Sequence, residues 1–545
     1  MKSCMFILML TVALSFSACG GSGSTTTPPP VTYTIGGTVE GLSGTGLVLQ
    51  NNAGNNLPVS ANAAFTFTTP VSGAYNVTVL TQPSNPAQSC AVSNGSGTAS
   101  ANVASVQVAC VGEWAWAGGS QLVYQPGTYG TLGSADPSNV PGGRDSAVSW
   151  TDATGNLWLF GGELIYDTGP TNGLLNDLWK YNPSLGEWTW MSGSNTADQS
   201  GTYGTLAKAA PSNVPGARWG SVTWTDASGD FWLFGGAGYD ATGAYGALND
   251  LWKYSASEWT WMSGATTTNQ SGTYGTQGTA APGNVPGARG SAVTWTDKSG
   301  NFWLFGGGGY DSTGTSGDLN DLWKYNASTS QWTWIGGSNV VNQRGTYGTQ
   351  GTVAPSNVPG ARFNAASVTD AAGNFWLFGG VGYDSTGTVA LLNDLWKYGA
   401  GEWAWMSGSN TIDQIGTYGI QGIAAPDNVP GARFQATSWS DPVGNLWFFG
   451  GAGFDSKGNS RYLNDLWKYS AGQWTWVGGS DIWGVWGIYG TQGLPAPSSA
   501  PGSRQGPPVQ WTDAAGNFWL FGGYGLGNGT TSGLGDLNDL WKYEP

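Results

Sequence analysis

The sequence predicts an all-β protein in which a small β-sandwich precedes a closed ring of six four-stranded blades. Three observations carry this. Paired glycines closing an apolar run recur at Gly161-Gly162, Gly235-Gly236, Gly306-Gly307, Gly379-Gly380, Gly450-Gly451 and Gly522-Gly523, spaced 74, 71, 73, 71 and 72 residues apart. A fixed period marks a repeat architecture, in which neighbouring units bury each other's apolar faces. The composition, 39% hydrophobic with 91 glycines, 27 prolines and 9% charged residues, favours short strands and turns over helices. All 32 tryptophans lie at or beyond Trp114, so the N-terminal part is a different kind of domain.

Residues 1–18, MKSCMFILMLTVALSFSA, combine an early lysine with an apolar stretch too short for a transmembrane span and read as an export signal peptide. Ala18-Cys19-Gly20 resembles a bacterial lipoprotein lipobox, which implies lipidation of Cys19 and, through Gly20, the outer membrane or cell surface. Phe16 departs from the usual leucine, and simple secretion is the alternative. The membrane would be met through the lipid anchor only. Residues 19–31 form a flexible tether ending in a proline run. Cys4 leaves with the signal and Cys19 takes the lipid, so Cys90 and Cys110 are left to pair as a disulfide, two free buried thiols being the alternative.

Residues 32–111 alternate apolar and polar in Tyr33-Thr34-Ile35, Ala64-Phe65-Thr66-Phe67 and Tyr75-Asn76-Val77-Thr78-Val79, which predicts a small antiparallel sandwich. It resembles the Ig-like modules of bacterial surface proteins, and reads as a spacer.

From residue 113 to 545 each unit contains four strand-like runs. In the second copy these are Ser221 to Thr225, Phe231 to Phe234, Leu251 to Tyr254 and Trp259 to Trp261, with Asp226-Ala227-Ser228-Gly229 as the first turn. Leu-Asn-Asp-Leu-Trp-Lys-Tyr runs begin at Leu175, Leu248, Leu319, Leu392, Leu463 and Leu537, and the sequence ends two residues after the last. The first Trp-x-Trp strand, Trp114-Ala115-Trp116, precedes any complete unit. Strand 113–118 is therefore expected to complete the last blade and close the ring.

The double glycine after an apolar strand, the tyrosine a few residues on and the later tryptophan resemble the Kelch repeat over all six units. That resemblance implies a six-bladed propeller related to the galactose oxidase central domain. The unit is about 20 residues longer than a usual Kelch repeat. Histidine is absent, so the copper ligands of that oxidase are missing. The same absence excludes Ser-His-Asp and Cys-His nucleophiles and His-ligated metal sites. A net charge of −15 argues against a nucleic-acid partner. No cofactor and no metal is expected.

Two long links, Ala237 to Ala247 between the second and third strands and Ser192 to Ala217 between units, should fall on one end of the ring. Three repeated features lie there. An arginine closes each inter-unit link (Arg144, Arg218, Arg289, Arg362, Arg433, Arg504), a tyrosine recurs within it (Tyr129, Tyr203, Tyr274, Tyr347, Tyr418, Tyr489), and an aspartate follows most double glycines (Asp167, Asp240, Asp311, Asp384, Asp455). One reading is a mouth of forked cationic donors and aromatic plates suited to carboxylates or sugars. The other is that each arginine pairs with a nearby aspartate while the tyrosines pack the link. Calcium at Asp311-Ser312-Thr313-Gly314 is a weaker idea, since the segment lacks the density of an EF-hand loop; Asn320-Asp321 reads as a loop cap.

Positions that break the repeat are the better specificity candidates: Glu163 after the first double glycine, Trp483 and Trp486 in the last link, and Arg344, Arg461 and Tyr462. The favoured function is non-enzymatic recognition of a protein segment or glycan through the long-loop face. The alternatives are a carbohydrate-active enzyme using paired carboxylates, for which Glu163 has no obvious partner, and a structural envelope protein.

Overall fold

The computed structural model describes residues 30–164, 173–506, 508–529 and 533–545. The expectations for residues 1–18, Cys19 and Asp167 lie outside these.

The N-terminal domain has eight strands: β1 (Ile35–Glu40), β2 (Leu47–Asn51), β3 (Asn55–Val59), β4 (Ala64–Thr66), β5 (Ala74–Thr81), β6 (Gln88–Ser93), β7 (Ser96–Thr98) and β8 (Val103–Gly112). They form two four-stranded sheets, ordered β4-β1-β8-β6 and β3-β2-β5-β7. Alternation places Leu47 and Leu49 of β2 inward, where they share one core with Ile35, Val39, Phe65, Val106 and Val108. The sandwich is not wholly antiparallel, because β1 and β8 run parallel. Period-two alternation reports which face a residue occupies and is silent on strand direction. Cys90 and Cys110 stand opposite each other in the β6/β8 ladder and are joined as a disulfide.

The repeats form six five-stranded sheets, the blades of a β-propeller. In blade 2 the inner strand a is Val222–Thr225, b is Phe231–Tyr239, c is Tyr245–Ser255 and the outer strand d is Glu258–Ser263. A two-residue strand, Arg218–Trp219, pairs with the far half of b. Strand b therefore runs on through the double glycine, and the expected loop from Ala237 to Ala247 is mostly a hairpin closed by a tight turn at residues 240–244. The glycines make this possible. Gly235 and Gly236 adopt φ of 63° and 97° and carry a bulge, and a Cβ on Gly235 would lie 2.7 Å from the carbonyl oxygen of Arg289 in the next blade.

Apolar cores lie between successive blades. Trp150, Trp158 and Phe160 of blade 1, for example, meet Phe231, Leu233, Trp252 and Trp259 of blade 2. The ring is closed: Leu157, Trp179 and Trp188 of blade 1 share a core with Trp511, Trp519 and Phe521 of blade 6. Strand β9 (Trp114–Gly118) forms the outer strand of blade 6, pairing Trp114 with Tyr543 and Trp116 with Trp541. It follows β8 after a single residue, Glu113, whose carboxylate accepts a 2.7 Å hydrogen bond from the Ser89 hydroxyl.

The links between blades cover what would be open sheet edges. The link before blade 2 donates Ala207 N–H to the Trp261 carbonyl, and Asn213 Nδ2 donates to the Trp259 carbonyl. The link before blade 6 donates Gly493 N–H to the Trp116 carbonyl of β9. Much of the length of these links is thus edge protection.

Candidate functional site

The six arginines do not line a mouth. Each is at most 1% exposed. In blade 2, Arg218 Nη1 and Nη2 donate to Asp250 Oδ1 and Oδ2 at 2.7 and 2.8 Å, Nε donates to the Gly216 carbonyl and Nη1 to the Gly235 carbonyl. The Tyr203 hydroxyl and Trp252 Nε1 also donate to Asp250 Oδ2, at 2.6 and 2.7 Å. Blades 1, 3, 4, 5 and 6 repeat the arrangement with Arg144–Asp177, Arg289–Asp321, Arg362–Asp394, Arg433–Asp465 and Arg504–Asp539. Burial opposes the charge on Arg218, but Asp250 outweighs it and raises the pKa above the ordinary arginine value. The guanidinium groups are spent inside the blades, and the corrected reading of all six is a structural knot. Asp321 and its equivalents are the acceptors of that knot rather than loop caps.

The aspartates after the double glycines close the hairpin turns. Asp240 Oδ1 accepts from Thr242 N–H, Thr242 Oγ1 and Ala244 N–H, and Oδ2 from Thr268 N–H in the following link. Although burial acts to raise it, these donors hold the Asp240 carboxyl below its ordinary value. Asp311 is committed in the same way to Thr313, Thr315 and Val341, which leaves the calcium idea without free ligands there. Among the described residues no group of three or more Cys, Asp or Glu side chains is disposed to hold a metal ion.

Function is better sought where the symmetry breaks. Inner strands surround a central channel, a cavity of about 200 Å³ lined chiefly by small and neutral polar residues such as Ser146, Ser221, Ser291, Asn364, Gln435 and Gln510. At the hairpin end, the second residue after each arginine has a left-handed φ: Ser146, Gly220, Ser291, Asn364, Gln435 and Gly506. Four backbone hydrogen bonds link this belt from Ser146 to Gln435, blade to blade. At blade 6 the pattern changes, and Gly506 N–H turns to the side-chain Oε1 of Gln435.

Three registered positions per blade lie beside that belt. Next to the arginine stand Asp145, Trp219, Gly290, Phe363, Phe434 and Gln505; opposite them on strand b, Glu163, Ala237, Gly308, Val381, Ala452 and Tyr524; and on strand c, Leu174, Ala247, Asp318, Leu391, Tyr462 and Asp536. Both tyrosines and three of the four carboxylates fall in the adjoining blades 5, 6 and 1. Glu163 has the neighbour that sequence reasoning did not find, since Asp145 and Glu163 exchange backbone hydrogen bonds of 3.1 and 2.9 Å across an antiparallel bridge. Burial pushes the Asp145 carboxyl up to about 7, with Ser146 acting to lower it and Glu163 to raise it. Burial raises Glu163 as well. The Tyr524 hydroxyl, raised by burial, shares a side-chain hydrogen bond with Tyr124 and feels the charges of Asp536 and Asp145.

An aromatic arc leads outward from this pair. Tyr524 meets Tyr462 with ring centroids 6.0 Å apart, and the adjacent Arg461 lies 5.5 Å over the ring of Trp483. Trp483 and Trp486 are 43% and 40% exposed, and Trp486 rests on the backbone of Gly529. The structure thus brings Glu163, Arg461, Tyr462 and Trp483 into one sector with Asp145, and places Arg344 elsewhere, on the blade 3 to blade 4 link. The signal for Asp145 was available in the sequence: the position beside the template arginine holds five residue types in six copies.

No protein-family model matches the chain, and no curated protein matches it. Among solved structures, one titled "Structure of YjhT" aligns over 74% of this chain and 95% of its own, at 15% identity and a TM-score of 0.43. No ligand or activity is carried over from it.

Proposed function

We propose that this protein is a non-enzymatic recognition module of Kelch type that binds a protein segment or a glycan at the hairpin end of its propeller, across blades 5, 6 and 1. The observation that carries the reading is the clustering of departures from six-fold symmetry. Trp219, Asp318 and Phe363 stand apart in blades 2 to 4, but both tyrosines and three of the four carboxylates fall in one arc that runs from Trp483 to Glu163, a concentration that drift between duplicated units does not favour. Two tryptophans kept in solvent contact on one link add to it, because exposed aromatic anchors mark interaction surfaces. Export as a lipoprotein belongs to the same proposal, supported by the lipobox-like Cys19 and by a disulfide in the sandwich, which suits an oxidising compartment. Glycan and peptide arrays probed with the purified protein test the reading. A ligand should be found whose affinity falls by at least tenfold in the Trp483→Ala/Trp486→Ala variant at unchanged melting temperature. Ligands that survive that change and are lost on altering the turns at the opposite end, such as Asp226 to Gly229, would refute it.

One observation favours the runner-up, a carbohydrate-active enzyme: adjacent Asp145 and Glu163 supply two carboxylates, one held near neutrality. Turnover of a glycoside panel that Glu163→Gln abolishes would establish it in place of recognition.

A further inference from the structure

Asp145 is a buried carboxylate, 8% exposed, that among the described residues has no lysine or arginine within ion-pair distance. The contrast with its sequence neighbour is sharp: Arg144 reaches past it to Asp177. Glu163 stands directly opposite on the antiparallel bridge, so two like charges face each other at the cross-strand spacing where they repel. Ser146 gives the Asp145 carboxylate a hydrogen bond but no counter-charge; a buried charge without one is costly, and a cation arriving from outside removes that cost.

We infer that the Asp145–Glu163 pair is the docking point for a lysine or arginine side chain of an extended peptide segment that lies along the aromatic arc. This rests on the reading of blades 5, 6 and 1 as the binding sector and names the chemistry of its occupant. Charge argues for a basic side chain over a neutral sugar: the Asp145 carboxylate is buried and Glu163 half-buried, and a charged tip on a methylene stem complements both as a neutral ring does not. Aromatic walls suit the stem, and tyrosine faces add attraction for the cation. The outer sheet edges are covered by the inter-blade links, so a peptide here is recognised by its side chains and not by strand addition. The net charge of −15 steers a basic segment toward the surface.

The probe is the heptapeptide acetyl-Ser-Gly-Ser-Lys-Ser-Gly-Ser-amide, titrated calorimetrically into the full chain at pH 8, beside versions carrying arginine or uncharged norleucine in place of lysine. The lysine or the arginine peptide should bind, the norleucine peptide at least tenfold more weakly. Asp145→Asn and Glu163→Gln should each weaken the cationic peptide at least tenfold, and Glu258→Gln on the outer strand of blade 2 should leave it unchanged. Because the norleucine comparison alters only the probe, it decides the matter even if Asp145→Asn folds poorly. Equal binding of the norleucine peptide, or no binding of either cationic peptide, overturns the inference. If the peptides fail while an array ligand is lost in Trp483→Ala/Trp486→Ala, the sector stands and its cationic occupant falls. Binding of a glucosamine tetramer, with none of its N-acetylated form and none of the peptides, would assign the pair to a cationic sugar. Cationic peptide binding that ignores Asp145 and Glu163 but is lost in Asp297→Asn, at the opposite end, would defeat both readings.

Discussion

Trp114 and Tyr543 sit opposite each other in the last blade, ring centroids 5.0 Å apart, and through this pair the start of the propeller is laid against its end. Trp114 also meets Phe449 at 5.4 Å, so the closing strand is wedged against blade 5 as well. Removing residues 1–118 should lower the thermal midpoint far more than removing residues 1–111, since only the longer deletion strips β9 from the ladder. Scanning calorimetry of the two truncations checks this, and equal midpoints would contradict closure by β9.

The Arg218–Asp250 pair should behave as a unit. Asp250→Asn leaves a buried guanidinium without its counter-charge and should cost about 3–5 kcal/mol, the usual effect of halving a buried pair. Arg218→Met alone should cost a similar amount. The double variant Arg218→Met/Asp250→Leu should lose less than the sum of the single changes, in denaturant unfolding of all three.

Stability should depend on pH through Asp145. Its carboxyl is raised from the ordinary 3.8 to about 7, so between these values the folded chain holds a proton that the unfolded chain has released. Stability contributed by the neutral form is therefore present at low pH and lost as pH rises through the window. Glu163 is shifted in the same direction, while the facing Tyr524 hydroxyl, raised by burial, stays neutral there; Tyr124 and Asp536 are the other groups at the seam. Asp145→Asn should match the parent near pH 4 and exceed it by up to roughly 4 kcal/mol above pH 7, as read from urea midpoints at several pH values.

Gly235→Ala should destabilise blade 2 and its junction with blade 3. The residue has φ of 63°, and the new methyl would press on the Arg289 carbonyl at 2.7 Å. A loss of about 2 kcal/mol or more is expected from chemical denaturation, against under 0.5 for a change at exposed Ala227.

Reducing the Cys90–Cys110 disulfide, or replacing both residues with serine, should cost the sandwich about 3 kcal/mol, the loop-closure value for a loop of this length. Melting of the isolated 32–111 segment and of the full chain, with and without reductant, provides the measurement.

Much of the architecture was legible because a repeat writes the same physical demand six times. The double glycines, the Trp-x-Trp strands and the displaced Trp114-Ala115-Trp116 each pointed to blades and their closure. What escaped the sequence was contact between distant residues. Arg218 and Asp250 recur with equal fidelity, and recurrence alone does not say whether an arginine faces solvent or a carboxylate on strand c. The stretch after Gly236 looked like a loop because its composition is that of a loop, yet the bulge restores pairing as far as Tyr239 with Tyr245. Asp145 was hidden beside a template residue, and only the bridge to Glu163 shows that two unrepeated acids meet.

The parallel pairing of β1 with β8 has a mechanical side. Tension applied between residue 30 and the propeller pulls β1 by its N-terminal end and β8 by its C-terminal end, in opposite directions along strands that run the same way. Such a load shears the whole ladder from Ile35–Val103 to Glu40–Ala109 at once instead of peeling it bond by bond. A pull that enters at residue 30 therefore meets the sandwich in shear, its stronger direction, on the way to β9 and the tryptophan-paired edge of the last blade.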